Sequence, residues 1–388
     1  MQKILYIIVS LLIFTSCDKD ENLQYVPKQL DSEVTGNVIR VTYETGDVYF
    51  RFNENLASDE VIVIKNPLDG KYKGNVYISS TIECDRGLFK VVGIEHDAFK
   101  NNTELKNIVI PEGIVHIEED LFSGCINLET VAIPNSVTSI GWCAFFNCIN
   151  LKEISGFKNV KVIAYSAFNT CKKLEKIELP NSLSYIGEGA FIKCESLREI
   201  SIPDKIDIIP TATFSRCISL VSVKLPAGLK RIEDQTFSDC YSLKYINIQK
   251  NVDEIGYGAF LNCQSLESVT LPEKIWYFPN SIFEGCVSLK RMKIPEGVES
   301  VRHNVFYGCL NLEIVECPST LTFIDHGALE RCPNLKKIVF LSRTPPETSD
   351  GFPFGEVIPA HITISVPSGC MEVYQRAPHW GQCRIIEN

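Results

Sequence analysis

Apolar residues return along this chain with a period of 23. Leucine fills one position of that period without exception, from Leu105 and Leu128 to Leu312 and Leu335. Six residues earlier stands phenylalanine, from Phe99 and Phe122 to Phe306, with Leu329 as the one substitute. Midway between the two comes cysteine at Cys125, Cys148, Cys171, Cys194, Cys217, Cys240, Cys263, Cys286, Cys309 and Cys332, and Asn102 holds the first slot. Aliphatic residues follow at six and eight past the cysteine, as in Ile200/Ile202 and Val223/Leu225. A proline usually comes next, and a further apolar pair falls at twelve and fifteen, as in Val137/Ile140. A catalytic or metal site calls for no such rule. A chain that winds the same turn repeatedly does, because each turn must put the same residue type at the same place.

Positions five to eight past the cysteine alternate outward and inward, which predicts one short half-buried strand per turn. Stacked turns then build a parallel sheet, and the proline ends each strand by withholding a ladder N–H. The Ala-Phe-x-x-Cys stretch is too short for a long helix and predicts a tight helical or 3₁₀ turn. The pattern gives eleven turns over 94–340. One turn alone cannot offset the entropy of ordering its own backbone, so neighbours must stabilise one another and both ends need covers. Residues 37–93 alternate like strands, with turn signals at Gly46-Asp47, Asp69-Gly70 and Arg86-Gly87, and predict an N-terminal β cap. Residues 341–388 predict a C-terminal cap.

The run Ile-Pro-Asn-Ser-Val-Thr-Ser-Ile-Gly at 133–141, followed by Ala144-Phe145 and Cys148-x-x-Leu151, resembles the BspA-like class of leucine-rich repeats. The likeness covers about 94–340 by motif. It reaches into the tail, where Pro345-Pro346, Ile364-Ser365-Val366-Pro367, Tyr374 and Trp380 resemble the usual closing segment. The resemblance implies a repeat solenoid, mostly parallel β, with an irregular C-terminal closing segment. It also implies the setting of such chains, surface proteins of certain Gram-negative anaerobes and some protozoa, and by analogy adhesion to host or bacterial proteins.

The first 17 residues read as a targeting segment. Lys3 precedes an apolar stretch at 4–13, far short of the ~20 residues of a spanning helix. Phe14-Thr15-Ser16-Cys17 resembles a lipoprotein box, with Cys17 as the lipidated residue; an ordinary secretory signal is the alternative. Asp18-Lys19-Asp20-Glu21 resembles the signals that send lipoproteins to the outer leaflet, and equally suits a polar spacer. The expected layout is a signal peptide over 1–17, a polar tether over 18–36 and a lipid anchor as the only membrane contact. The expected location is the outer membrane, facing out.

A net charge of −10 argues against nucleic acid, whose binders carry basic patches. Sixteen cysteines in an exported chain would ordinarily suggest disulfides, but ten of them share one inward column and read as small core fillers with free thiols. Cys317 replaces a core strand residue, Cys84 and Cys143 have no evident mate, and Cys370 with Cys383 is the pair to examine for a bridge. No metalloprotease, phosphate-loop or serine-elbow motif occurs, so no catalytic residue and no cofactor is expected. His303 and His326 share an offset on adjacent turns near Asp325, yet no third metal ligand is evident.

Outward columns remain. Four past the cysteine the charge alternates, Lys106, Glu129, Lys152, Glu175, Arg198, with Val221 in an acidic slot, then Lys244 to Lys336, which reads as an ion ladder keeping register. At five and seven, Lys224, Tyr245, Asn247, Thr270, Arg291 and Lys293 combine an aromatic anchor, hydrogen bonders and a basic edge, the make-up of a protein-binding patch. Trp142 and Tyr165 share an offset, and Trp276-Tyr277 lies between core positions; they suit either glycan stacking or packing between turns. A surface protein that binds proteins is thus the leading expectation. A glycan binder and an envelope spacer without a ligand are the rivals.

Overall fold

The computed structural model describes residues 27–52, 59–349, 351–355 and 361–388. The expected signal peptide and Cys17 lie outside them. The chain divides into two units, Met1–Ser182 and Leu183–Asn388.

The first unit opens with strands β1 (Gln29–Thr35), β2 (Val38–Tyr43), β3 (Gly46–Phe52), β4 (Glu60–Val63), β5 (Gly74–Tyr77), β6 (Thr81–Cys84) and β7 (Gly87–Ile94). Part of the stretch expected to be a polar tether is therefore β1, which pairs antiparallel with β2. Six of these strands form one sheet in the order β1-β2-β3-β4-β7-β6. Its two edges meet where the Gln29 amide donates to the Glu83 carbonyl at 2.5 Å and accepts the Glu83 N–H at 3.3 Å. Val41, Phe50, Val61 and Val91 fill the space between, each at most 2% exposed. β5 leaves this sheet and pairs in parallel with Leu105–Val109, Val76 lying beside Ile108. The repeat sheet therefore begins inside the segment expected to be the cap. It continues through Thr130–Ala132 and Glu153–Ser155, all parallel and in register one period apart.

The second unit repeats the arrangement. Its parallel pairs include Glu199–Ser201 with Ser222–Lys224, and Tyr245–Asn247 with Ser268–Thr270. A longer run extends from Arg291–Lys293 through Ile314–Cys317 and Lys337–Phe340 to Thr363–Val366 and Arg384–Glu387. The C-terminal segment, expected to be irregular, thus adds these two parallel strands, a third at Glu347–Thr348 that pairs with Phe323–Ile324, and a short helix, Met371–Gln375. Tyr374 and Trp380 pack on Phe340 at ring-centroid distances of 5.5 and 5.1 Å. Their polar tips donate to carbonyls, Tyr374 to Ser342 at 3.0 Å and Trp380 to Pro346 at 2.8 Å.

The turns also contain a second strand of two residues, such as Ser139–Ile140 or Arg231–Ile232, generally with one residue out and one in, though both are buried at Ser300–Val301. The proline after the first strand turns the chain toward it, its carbonyl accepting an N–H three residues on, as Pro134 does from Val137 at 3.2 Å. The Ala-Phe-x-x-Cys stretch forms tight turns closed by i→i+3 bonds, such as Cys148 N–H to Phe145 O at 3.2 Å. It does not propagate as a helix, because left-handed residues flank the Ala-Phe pair. One lies just before the cysteine slot (Asn101, Asn147, Lys193, Asp239), and the other lies four residues earlier (Asp120, Cys143, Gln235, Ser281). With those reversals, three N–H groups of a turn all point to the next turn. Cys143, Phe145 and Asn147 donate to the carbonyls of Tyr165, Ala167 and Asn169 at 3.0, 2.8 and 2.9 Å. In the second unit Gln235, Phe237 and Asp239 do the same to Tyr257, Ala259 and Leu261. The last such donors are met by the tail, Gly327 by the Phe352 carbonyl at 3.1 Å and Leu329 by Pro353 at 2.7 Å.

The core is columnar. Phenylalanine rings stack at 5.1–5.3 Å in the first unit and at 5.5–6.0 Å in the second. The ten ladder cysteines are buried free thiols. Most donate to the phenylalanine carbonyl of the preceding turn, as Cys148 does to Phe122 at 3.1 Å and Cys240 to Phe214 at 3.2 Å. Asn102, in the first slot, instead accepts the N–H groups of Glu104 and Leu105.

Candidate binding surfaces

The outward residues of the first strands in the second unit are set by the alternation itself. Tyr245 and Asn247 flank the buried Ile246, and Arg291 and Lys293 flank Met292, which is 3% exposed. Parallel register places Tyr245 beside Ser268 and Asn247 beside Thr270. Tyr245 is 59% exposed, so its ring stands free of the sheet as an anchor would. Lys224, Asn247, Thr270, Arg291 and Lys293 are all exposed. Lys244 and Lys290 also lie exposed on these four turns, and Glu267 is the one carboxylate at the outward positions of their strands. A chain of net charge −10 thus carries a local basic island. Among the described residues Lys224, Arg291 and Lys293 form no ion pair within 4.0 Å, so their charge faces solvent.

The alternating charge column closes as ion pairs at Lys152–Glu129, 2.7 Å, and Lys336–Glu313, 3.4 Å. Lys152 holds the Glu129 carboxyl below its ordinary range, chiefly through that hydrogen bond. Neighbouring members are also tied through the backbone, Glu267 N–H to Lys244 O at 2.8 Å and Val221 N–H to Arg198 O at 2.8 Å. The backbone bonds hold register whether or not the side chains pair.

The other candidates separate. His303 and His326 lie 4.2 Å apart between ring centroids, and the His303 Nδ1 bonds the His326 carbonyl at 3.0 Å. Asp325 accepts from Ser349 at 2.7 Å and from the His326 N–H at 2.8 Å. Among the described residues no group of three or more His, Cys, Asp or Glu is placed to hold a metal ion. Cys370 and Cys383 are both free thiols. Trp276 leans on Tyr277 with centroids 4.4 Å apart. Trp142 and Tyr165 are 59% and 51% exposed and Trp276 is 55% exposed, more than packing between turns would leave. Sequence reasoning missed what lies beside Trp142, namely His116, Glu118, Glu119 and Ser139, although Glu119 holds the same repeat offset as Trp142 and the other three sit at offsets close to it. Among the described residues no helix is long and apolar enough to cross a membrane.

Stacked coils with short parallel strands, a columnar core and free outward faces define a repeat scaffold in each unit. The chain matches the BspA type leucine rich repeat region in six copies, over residues 92–221 and 207–336. It belongs to that family. A leucine-rich repeat protein of Bacteroides ovatus is similar in structure, with 25% identity and a TM-score of 0.60, covering 88% of this chain and 89% of its own. A leucine rich cell surface protein of Faecalibacterium prausnitzii shares 25% identity over 81% of this chain and 95% of its own, with a TM-score of 0.48. Comparison with curated proteins gives no match.

Proposed function

We propose that this chain is a non-catalytic, lipid-anchored surface protein that adheres to host or bacterial proteins through the sheet face of its second unit. Tyr245 inserts as the aromatic anchor, Asn247 and Thr270 supply hydrogen bonds, and Lys224, Arg291 and Lys293 form the basic rim. The observation that carries the reading is an exposed tyrosine accompanied, on the parallel strands of neighbouring turns, by cations that form no ion pair, in an otherwise acidic chain. Membership of a leucine-rich-repeat family supports a binding role, since such scaffolds present extended faces to other macromolecules. Cys17 would carry the anchor, with the membrane touched only through its lipid.

The test is quantitative crosslinking on cells displaying the lipid-bearing chain, comparing it with the triple variant Tyr245→Ala, Arg291→Ala, Lys293→Ala. Proteins captured by the first and lost by the triple variant support the patch; an identical capture profile rejects it. Palmitate labelling lost in Cys17→Ala supports the anchor, and labelling that persists rejects it.

A further inference from the structure

We infer that the first unit carries a separate site for a neutral glycan, built on Trp142 and Tyr165 and going beyond the protein-binding face proposed above. Both rings are exposed and occupy one column on consecutive turns, with the Cys143 N–H bonded to the Tyr165 carbonyl at 3.0 Å to fix their register. The step between these turns is given by the phenylalanine stack beneath them, 5.1 Å from Phe122 to Phe145 and 5.2 Å from Phe145 to Phe168. That step is close to the length of one pyranose unit in an extended chain. Beside Trp142 opens a cleft of about 320 Å³, lined by His116, Ile117, Glu118, Glu119, Ser139, Gly141 and Trp142. Gly141 lets the two turns that wall it approach closely: its N–H donates to the Ile117 carbonyl at 2.8 Å, and a Cβ there would meet the Glu119 N at 2.7 Å and the Ile117 O at 2.8 Å.

The chemistry of the rim selects the ligand. Glu118 and Glu119 are exposed and form no ion pair within 4.0 Å among the described residues, so they repel anionic sugars and phosphates. His116 and Ser139, joined at 2.6 Å, add groups that both donate and accept. A sugar hydroxyl uses donor and acceptor together, whereas an ammonium or guanidinium uses acceptors only. Two rings repeated in a row form a track for a chain, not a cage converging on a point charge. The apolar face of a pyranose lies on Trp142 and Tyr165, and its hydroxyls reach the carboxylates and the His116–Ser139 pair.

The experiment uses the full-length chain with Trp276→Phe, which leaves Trp142 as the exposed reporter and Trp380 buried. Xylohexaose, mannohexaose and cellohexaose are titrated by fluorescence and calorimetry, with hexagalacturonate and hexa-arginine as charged probes. At least one neutral hexaose is expected to shift the emission and saturate. Trp142→Ala abolishes the calorimetric signal, Trp142→Phe retains it, and Tyr165→Ala weakens it roughly two- to tenfold. The Tyr245, Arg291 and Lys293 triple variant leaves it unchanged, which separates this site from the protein-binding face. No binding by any neutral hexaose, binding indifferent to Trp142→Ala, or tighter binding of hexa-arginine overturns the inference.

Discussion

At the scale of the residue, the ladder cysteine is explained by two properties that no other small side chain combines. It fills a small buried core slot, and its thiol reaches a carbonyl that still has a lone pair free. The Phe122 oxygen accepts the Cys125 N–H at 3.0 Å and the Cys148 thiol at 3.1 Å, so both lone pairs are used. Burial pushes the thiols of Cys125, Cys217 and Cys332 up to about 12, and those of Cys148, Cys240, Cys286 and Cys309 well above their ordinary value. Native alkylation at pH 8 followed by mass spectrometry should therefore modify the partly buried Cys84 first and spare the ladder until denaturant is added. It should reach Cys143 and Cys383 more slowly than Cys84, because burial raises their thiols, that of Cys383 to about 11. A thiol raised in the folded state binds its proton where the unfolded chain has released it. Its stabilising effect is then complete below pH 9 and is lost as pH rises toward 12. Denaturant titrations at pH 8, 9 and 10 should show stability falling above pH 9, by up to about 1.4 kcal/mol per pH unit for each such thiol. A flat profile would mean that the column is not sealed.

At the scale of the element, the turn depends on left-handed backbone, and its glycines differ in what they permit. Gly156 has φ +87°, and a Cβ there would collide with the Ile133 carbonyl of the preceding turn, whereas Gly308 has φ +70° with nothing within 4 Å. Gly308→Ala should cost about 1–2 kcal/mol, the conformational penalty alone, and Gly156→Ala at least twice that in chemical denaturation. The periodic reading found the first strand and the Phe, Cys and Leu columns because each puts the same residue type at the same offset. It missed the second strand, since two residues with one facing in leave a signal of a single position, and the outward partner is as varied as His116, Val162, Arg231 and Glu254. It also missed the reversals. Asn101, Gly124, Asn147, Asp239, Asn262, Gly285 and Gly308 before the cysteine slot are residues tolerant of left-handed φ, but Thr170, Lys193, Arg216 and Arg331 share the slot and obscured it. There the interturn hydrogen bonds override local preference.

At the scale of the whole molecule, a stack of like turns fails at its ends unless the ends differ from the turns. The alternating pattern announced an N-terminal sheet but could not show that β5 defects from it to begin the repeat sheet, because a short strand reads the same in either sheet. The outward columns made the Tyr245 patch legible, whereas the cleft beside Trp142 was not, since its lining comes from four columns that no single offset reveals. At the C-terminal end the closing strands cover the edge of Lys337–Phe340, and Trp380, 1% exposed, locks them through Phe340, Phe354 and the Pro346 carbonyl. Trp380→Ala removes the ring and the hydrogen bond together and should lower unfolding free energy by about 3–5 kcal/mol. Because a freed parallel edge is a template for another chain, the variant should also self-associate in light scattering at concentrations where the parent chain does not. Loss of stability without association would place the seal in the side-chain core alone; association without loss of stability would place it in the strand edge. The stacked-turn architecture requires both, since the same tail closes the core and the ladder.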